Sequence, residues 1–252
     1  MASRAFLGGG DLYINRTDPT TGLKIGRVGP FECGKFEIKP NTDLKEQVSR
    51  GKTTYGQVIE SVAIQKPADL TVQLNELDKE GLTLALLGTN AAWSQGSGTI
   101  TAEAIVAVHD KWVSLSKVNF AVAGFVVTHT SGAPTYVLGT DYDVNYRLGM
   151  VRVKSTGAIA NGATIKVTGN YQTSAGTRIA GATQAQVRAE FVLDGVNFAD
   201  NLPCICTVWE AVLAPESAFD FLSDGFGNIT LKGRLKTPTG KTEPFQVDLL
   251  TS

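Results

Sequence analysis

The most regular stretch of the chain covers residues 57–75. Its odd positions are mostly polar: Gln57, Ser61, Gln65, Asp69, Thr71, Gln73 and Asn75. Its even positions are mostly apolar: Val58, Val62, Ile64, Ala68, Leu70, Val72 and Leu74. A period of two describes a strand with one wet face and one buried face. Strands usually run about 5–6 residues, whereas this one, if unbroken, would span roughly 60 Å at about 3.3 Å per residue. A domain of this size seldom needs such a strand for itself, so the pattern points to use by an assembly larger than one subunit. Lys66-Pro67 interrupts the run. Proline has no amide donor, so a bulge, a bend or a sheet edge is expected there.

Residues 31–50 predict a partner strand in which Phe36 and Ile38 alternate with Lys35, Glu37 and Lys39. The polar loop Ser49, Arg50, Gly51, Lys52, Thr53, Thr54, Tyr55 joins the two into a long hairpin. The spacing then changes, and residues 77–87 predict a helix capped by Asn75 or Asp78, with Gly88 at the C′ position. Over 99–117 the strand period returns, with Ile100, Ala102, Ala104, Val106 and Val108 on one face. Residues 118–175 show short strands at hairpin spacing, split by Leu148-Gly149 and Asn161-Gly162. From 176 onward long strands resume. Residues 1–30, rich in glycine and turn formers, predict an irregular N-terminal arm. The expected organisation is that arm, a β domain made of 31–117 and 176–252, and a small inserted β domain at 118–175.

With 252 residues the chain can build one large β domain or two small ones. Lys plus Arg number 23 against 24 Asp plus Glu, a net charge of −1, so no basic excess supplies general affinity for phosphates or anionic membranes. No apolar window approaches the roughly 18 residues of a membrane-spanning helix, and the N-terminus lacks a signal-like apolar core. Cys33, Cys204 and Cys206 do not make a disulfide framework, which suggests a reducing cytoplasm.

The candidate chemistry is thin. Gly51-Lys52-Thr53 and Gly240-Lys241-Thr242 invite a phosphate loop, but Glu46 and Leu235 stand where its first glycine belongs. Asp141, Asp143 and Asn145 match the start of a calcium loop, but Tyr146 replaces its glycine and Arg152 its closing glutamate. His109 and His129 show no nucleophile-base-acid spacing. Neither catalysis nor a metal or other cofactor is expected.

The order of arm, long hairpin, single helix and long closing strands resembles the major tail tube protein of long-tailed bacteriophages. FEIKPNTDLKEQVSRGKTTYGQVIESVAIQKPADLTVQLNELDKEGLTLALLG carries the likeness in the first half. GTRIAGATQAQVRAEFVLDGVNFADN and FLSDGFGNITLKGRLK carry it in the second. TDYDVNYRLGMVRVKSTGAIANGATIKVTGNY is similar to small Ig-like β inserts of phage structural proteins.

The resemblance implies a mainly β fold: a tail-tube-type sandwich or barrel with an extended hairpin and one helix, plus an Ig-like insert. It implies hexameric rings that stack into a tube whose β-barrel lumen conducts the genome into the host. Glu37, Gln57, Ser61, Gln65, Asp69, Thr71 and Gln73 would line the lumen, and the loop from Ser49 to Tyr55 would touch the next ring. Lys39, if it faced the lumen, would depart from a lysine-free wall. The implied partners are further copies, the tape measure, terminator and distal tail proteins, and DNA in transit without specific binding. The implied location is the virion tail, made in the bacterial cytoplasm, and an outer insert suits a tail without a contractile sheath. Two rival readings are an Ig-like surface binding or adhesion module, and a hydrolase using a carboxylate pair.

Overall fold

Strands make up more than half of this protein. The structure, a computed structural model, describes residues 5–76 and 78–250. From the N-terminus come β1 (Gly8–Thr17), β2 (Lys24–Val48), β3 (Val58–Leu74), α1 (Lys79–Ala85) and β4 (Thr89–Gln95). Then follow β5 (Gly98–Val106), β6 (Trp112–Ser114), β7 (Val126–His129), β8 (Tyr142–Asn145), β9 (Met150–Val153), β10 (Thr164–Tyr171) and β11 (Ser174–Ala180). Four strands close the chain: β12 (Val187–Asn197), β13 (Leu202–Pro215), β14 (Ile229–Leu235) and β15 (Phe245–Leu249). The chain is mainly β, with several sheets and one helix among the described residues.

Two compact units result: Met1–Asn90 with Ile179–Ser252, and Ala91–Arg178. The second unit therefore begins at Ala91 rather than at the expected 118. Residues 99–117 belong to it as β5 and β6. The division falls within β4 and β11, which pair as a two-stranded ribbon.

In the first unit the pairing order is β12-β1-β2-β3-β14-β13-β15, and β12 also pairs with β13. The sheet thus returns on itself in a ring-like arrangement. Leu12 and Ile14 of β1, Leu70, Val72 and Leu74 of β3, Phe191 of β12, Leu213 of β13 and Leu231 of β14 fill its interior, each at most 2% exposed. Leu84 is the helix's contribution to this core.

The expected irregular arm over 1–30 is corrected. Gly8 to Arg16 pair with β12, and β2 begins at Lys24. The glycines there mark close packing: a Cβ on Gly10 would stand 2.4 Å from the Asp194 carbonyl oxygen. Only a residue without a side chain lets the two strands approach so closely.

The helix is shorter than the 77–87 expected, and Leu77 lies outside the described residues. Asp78 caps it, accepting a hydrogen bond from the Gly81 amide at 2.7 Å. At the other end Leu87 takes the left-handed conformation (φ 47°) and the Gly88 amide donates to the Thr83 carbonyl at 2.9 Å. This is a Schellman motif with Leu87 at C′, so Gly88 sits one position later than expected. Glycine is needed at 88 for another reason: a Cβ would come 2.7 Å from the Ala180 carbonyl oxygen.

The second unit has two three-stranded antiparallel sheets, β5-β10-β7 and β6-β9-β8. Val127, Ile165 and Val167 from the first and Tyr142, Val151 and Val153 from the second share one core. The single apolar face expected for 100–108 breaks at Ala102, whose φ is 54°. Ile100 is buried, but beyond Ala102 the buried positions become Ile105 and Ala107, while Val106 and Val108 are exposed.

Candidate assembly surface

The hairpin of β2 and β3 outgrows the sheet that holds it. β1 pairs with β2 only between Lys24 and Glu32, and β14 pairs with β3 only between Asp69 and Leu74. Beyond Asn41 and Lys66 the two strands pair only with each other among the described residues. The result is a two-stranded arm with both edges open. Its Leu44, Val48, Val58, Ile59, Val62 and Ile64 are all exposed. Val58, Val62 and Ile64, expected on a buried face, are 51%, 53% and 49% exposed, because no core lies beneath the arm. A lone hairpin is marginal in water, and open edges with exposed aliphatics are templates for another chain.

The seven residues expected on one polar face are divided by the structure. Glu37 lies opposite Thr71, and Asp69 and Gln73 share that face. At Pro67 the strands advance unequally: from Asp69 to Lys66 is three steps on β3, against two from Lys39 to Asn41 on β2. The extra residue is a bulge, and it reverses which parity faces which side. Two contacts fix the reversal. The Asn41 side-chain amide donates to Asp69 Oδ2 at 2.8 Å, and Lys66 Nζ lies 3.2 Å from Asp43 Oδ2. Beyond the bulge the face of Asp69 therefore continues through Lys66, Ile64 and Val62. Ser61 and Gln65 belong to the opposite face, and Gln57 precedes the strand.

Neighbouring strands bring charges that the pattern of β3 alone could not reveal. Lys39 pairs with Asp69, and Lys35 with Gln73, so both lysines share the polar face. β14 adds Lys232 opposite Thr71 and Arg234 opposite Asp69. The cations are largely matched. Lys35 pairs with Glu37, Lys232 Nζ lies 2.9 Å from Glu216, and Arg234 Nε lies 3.7 Å from Asp69. The Lys35 hydrogen bond and charge hold the Glu37 carboxyl below its usual range. The Glu216 carboxylate holds the Lys232 ammonium above its ordinary value. The signal for Lys35 and Lys39 was their alternation with Phe36 and Ile38. Nothing in sequence placed Lys232 or Arg234 beside β3.

The loop at the arm's tip is bonded to itself. Ser49 is buried, and its hydroxyl contacts Thr54 Oγ1 at 2.7 Å and accepts from the Gly51 amide at 3.1 Å. The Gly56 amide donates to the Ser49 carbonyl at 3.0 Å, and Tyr55 is 77% exposed. Arg50, Lys52 and Thr53 are exposed too.

The other candidates serve local structure. Asp141 accepts from the Val137 and Ala158 amides, both at 2.8 Å, and these bonds hold its carboxyl below the usual range. Asp143 pairs with Arg152 and Lys154. Burial, with the neighbouring Cys204 adding to it, pushes the Cys206 thiol up to about 11, far from a reactive thiolate at neutral pH. No group of three or more His, Cys, Asp or Glu placed to hold a metal ion occurs among the described residues. None of the described helices is long and apolar enough to cross a membrane.

A family model described as "Protein of unknown function UCP028589" matches residues 5–244. The chain belongs to this family. The match runs through both units and includes the whole β2–β3 arm. Comparison with curated proteins returns no match.

Proposed function

We propose that the chain is a structural subunit of the tail tube of a long-tailed bacteriophage. Copies join in rings of six, the rings stack, and strands from every copy enclose a channel through which the genome passes into the host. The observation that carries this reading is the two-stranded arm with open edges and exposed aliphatics on both faces. Pairing with further copies would cover those edges. A water-filled bore needs more than about 16 strands, which one subunit's long strands cannot supply alone.

In this reading the face of Glu37, Asp69, Thr71 and Gln73 lines the channel. A conduit must not retain DNA. Binding to phosphates is driven by counterion release from unmatched cations, and here Glu37, Asp69 and Glu216 offset Lys35, Arg234 and Lys232. The partners are further copies, the tape measure, terminator and distal tail proteins, and transiting DNA. The first unit would then be a tail-tube-type β domain and the second an Ig-like decoration, in the tail of the virion.

Negative-stain microscopy of the purified protein tests this. Rings or tubes are expected, and a persistent monomer overturns the reading. The second unit's own core favours one alternative, an Ig-like binding module, and a monomer with glycan affinity would support it.

A further inference from the structure

The two units differ in charge. Residues 91–178 hold seven Lys and Arg against four Asp and Glu, a net charge of +3, and the other residues hold sixteen against twenty, a net charge of −4. The four acids of the second unit are all bonded within it. Glu103 accepts from the Ser116 amide at 2.8 Å and from its hydroxyl at 2.7 Å, and Asp110 accepts from the Ser155 amide at 3.3 Å. Backbone amides hold Asp141, and Arg152 and Lys154 hold Asp143.

Wholly within this unit lies a cleft of about 440 Å³. Small-ligand sites usually measure about 300–1,000 Å³. Two cations stand in the cleft, each over an aromatic ring. The Arg178 guanidinium lies 5.6 Å from the centre of the Trp93 ring, and Lys117 Nζ lies 5.5 Å from that of Tyr171. Neither cation has an ion-pair partner among the described residues, and no acid lines the cleft. Ser94 and Ser97 are exposed in its wall, with hydroxyls not bonded to protein. The frame is braced by Gln95. Its side-chain amide donates to the Val118 carbonyl at 2.8 Å and to the Gln172 carbonyl at 3.2 Å, and accepts from the Val118 amide at 3.2 Å. Those bonds tie β4 to the residues next to Lys117 and Tyr171.

A guanidinium stacked on a ring keeps the donors along its edge free, and a carboxylate fits that edge with two parallel hydrogen bonds. Free hydroxyls beside aromatic rings suit a polyhydroxylated ring. Single-stranded nucleic acid instead needs open aromatic faces for its bases, and here one face of each ring already holds a cation.

We propose that this cleft binds an acidic saccharide. Arg178 grips a sugar carboxylate, Lys117 supplies a second positive contact, and Ser94 and Ser97 meet the ring hydroxyls. The site needs only one copy of the chain, so microscopy tests the tube reading separately.

The test is calorimetric titration of the full chain with trigalacturonic acid. Saturable binding that weakens as salt is raised is expected. Uncharged maltotriose should bind more weakly by roughly tenfold or more, and Arg178→Gln and Lys117→Gln should each weaken trigalacturonate binding as much. Arg147→Gln removes an exposed cation of the same unit outside the cleft and should leave binding unchanged. Absence of saturable binding overturns the proposal, as does wild-type affinity in Arg178→Gln. Equal loss in Arg147→Gln, or a thymidine oligonucleotide that binds as tightly as the saccharide, also overturns it, because either marks general attraction to anions.

Discussion

Asn41 on β2 donates its side-chain amide to Asp69 on β3 at 2.8 Å, across the point where β3 carries one residue more than its partner. The same amide reaches the Pro67 carbonyl at 3.1 Å. One short polar side chain thus spans the bulge, and the bulge decides which residues of the arm share a face with the polar sheet below.

The first prediction follows from that division. If Thr71 and Gln73 face passing DNA and Gln65 does not, Thr71→Lys with Gln73→Lys should slow genome release from virions at low salt. Gln65→Lys should leave the release rate unchanged. Equal slowing by both would refute the face assignment.

Deleting Pro67 equalises the strands at the bulge. The core from Leu70 to Leu74 is untouched, so a cooperative thermal transition by circular dichroism is expected. The arm's faces are exchanged, however, and tubes should be absent by electron microscopy. Normal tubes would show that the bulge does not set the assembly surface.

Glu190 gives a pH dependence. Burial pushes its carboxyl up, but Lys24 and Arg27 outweigh this, the latter at 2.6 Å, and hold it below the usual range. A lowered folded value stabilises the protein above the unfolded value, about 4.3 for glutamate. That contribution falls away as pH drops through the folded value. Glu190→Gln should cost about 2 kcal/mol at pH 7. The gap from wild type in urea titrations should shrink as the medium is acidified below about pH 4, and a gap constant from pH 7 to pH 3 would contradict this account.

Leucines of the same hairpin should separate stability from assembly. Leu70 is fully buried, so Leu70→Ala should cost about 2–5 kcal/mol. Leu44 is 57% exposed on the arm, so Leu44→Ser should change stability by less than about 0.5 kcal/mol. If the arm joins copies, Leu44→Ser should nonetheless reduce ring formation in sedimentation. Unchanged assembly would argue against the arm as the joining element.

Local pattern was enough to reveal the long hairpin, a helix with Asn75 or Asp78 as its cap, and long strands after residue 176. Period-two alternation and cap chemistry act over a few residues, and the sequence displays them directly. Pro67 was visible as an interruption because a missing amide donor is a property of one residue. What it did to the strand was not visible. A bulge is a mismatch between two chains, and the count on β2 enters only once the register is formed. Ala102 repeats the lesson in the second unit, where a left-handed residue moves burial from even to odd positions. Glycines 8–10 misled for the same reason: the carbonyl that forbids a side chain at Gly10 belongs to β12, almost two hundred residues away. Lys232 and Arg234 likewise join the polar face only through pairing with β3. The sequence by itself therefore determined most of the long strands and which positions alternate within them, though not β1. Only the tertiary structure decided which way each alternation faces and what charge stands beside it, because facing and pairing are relations between distant segments.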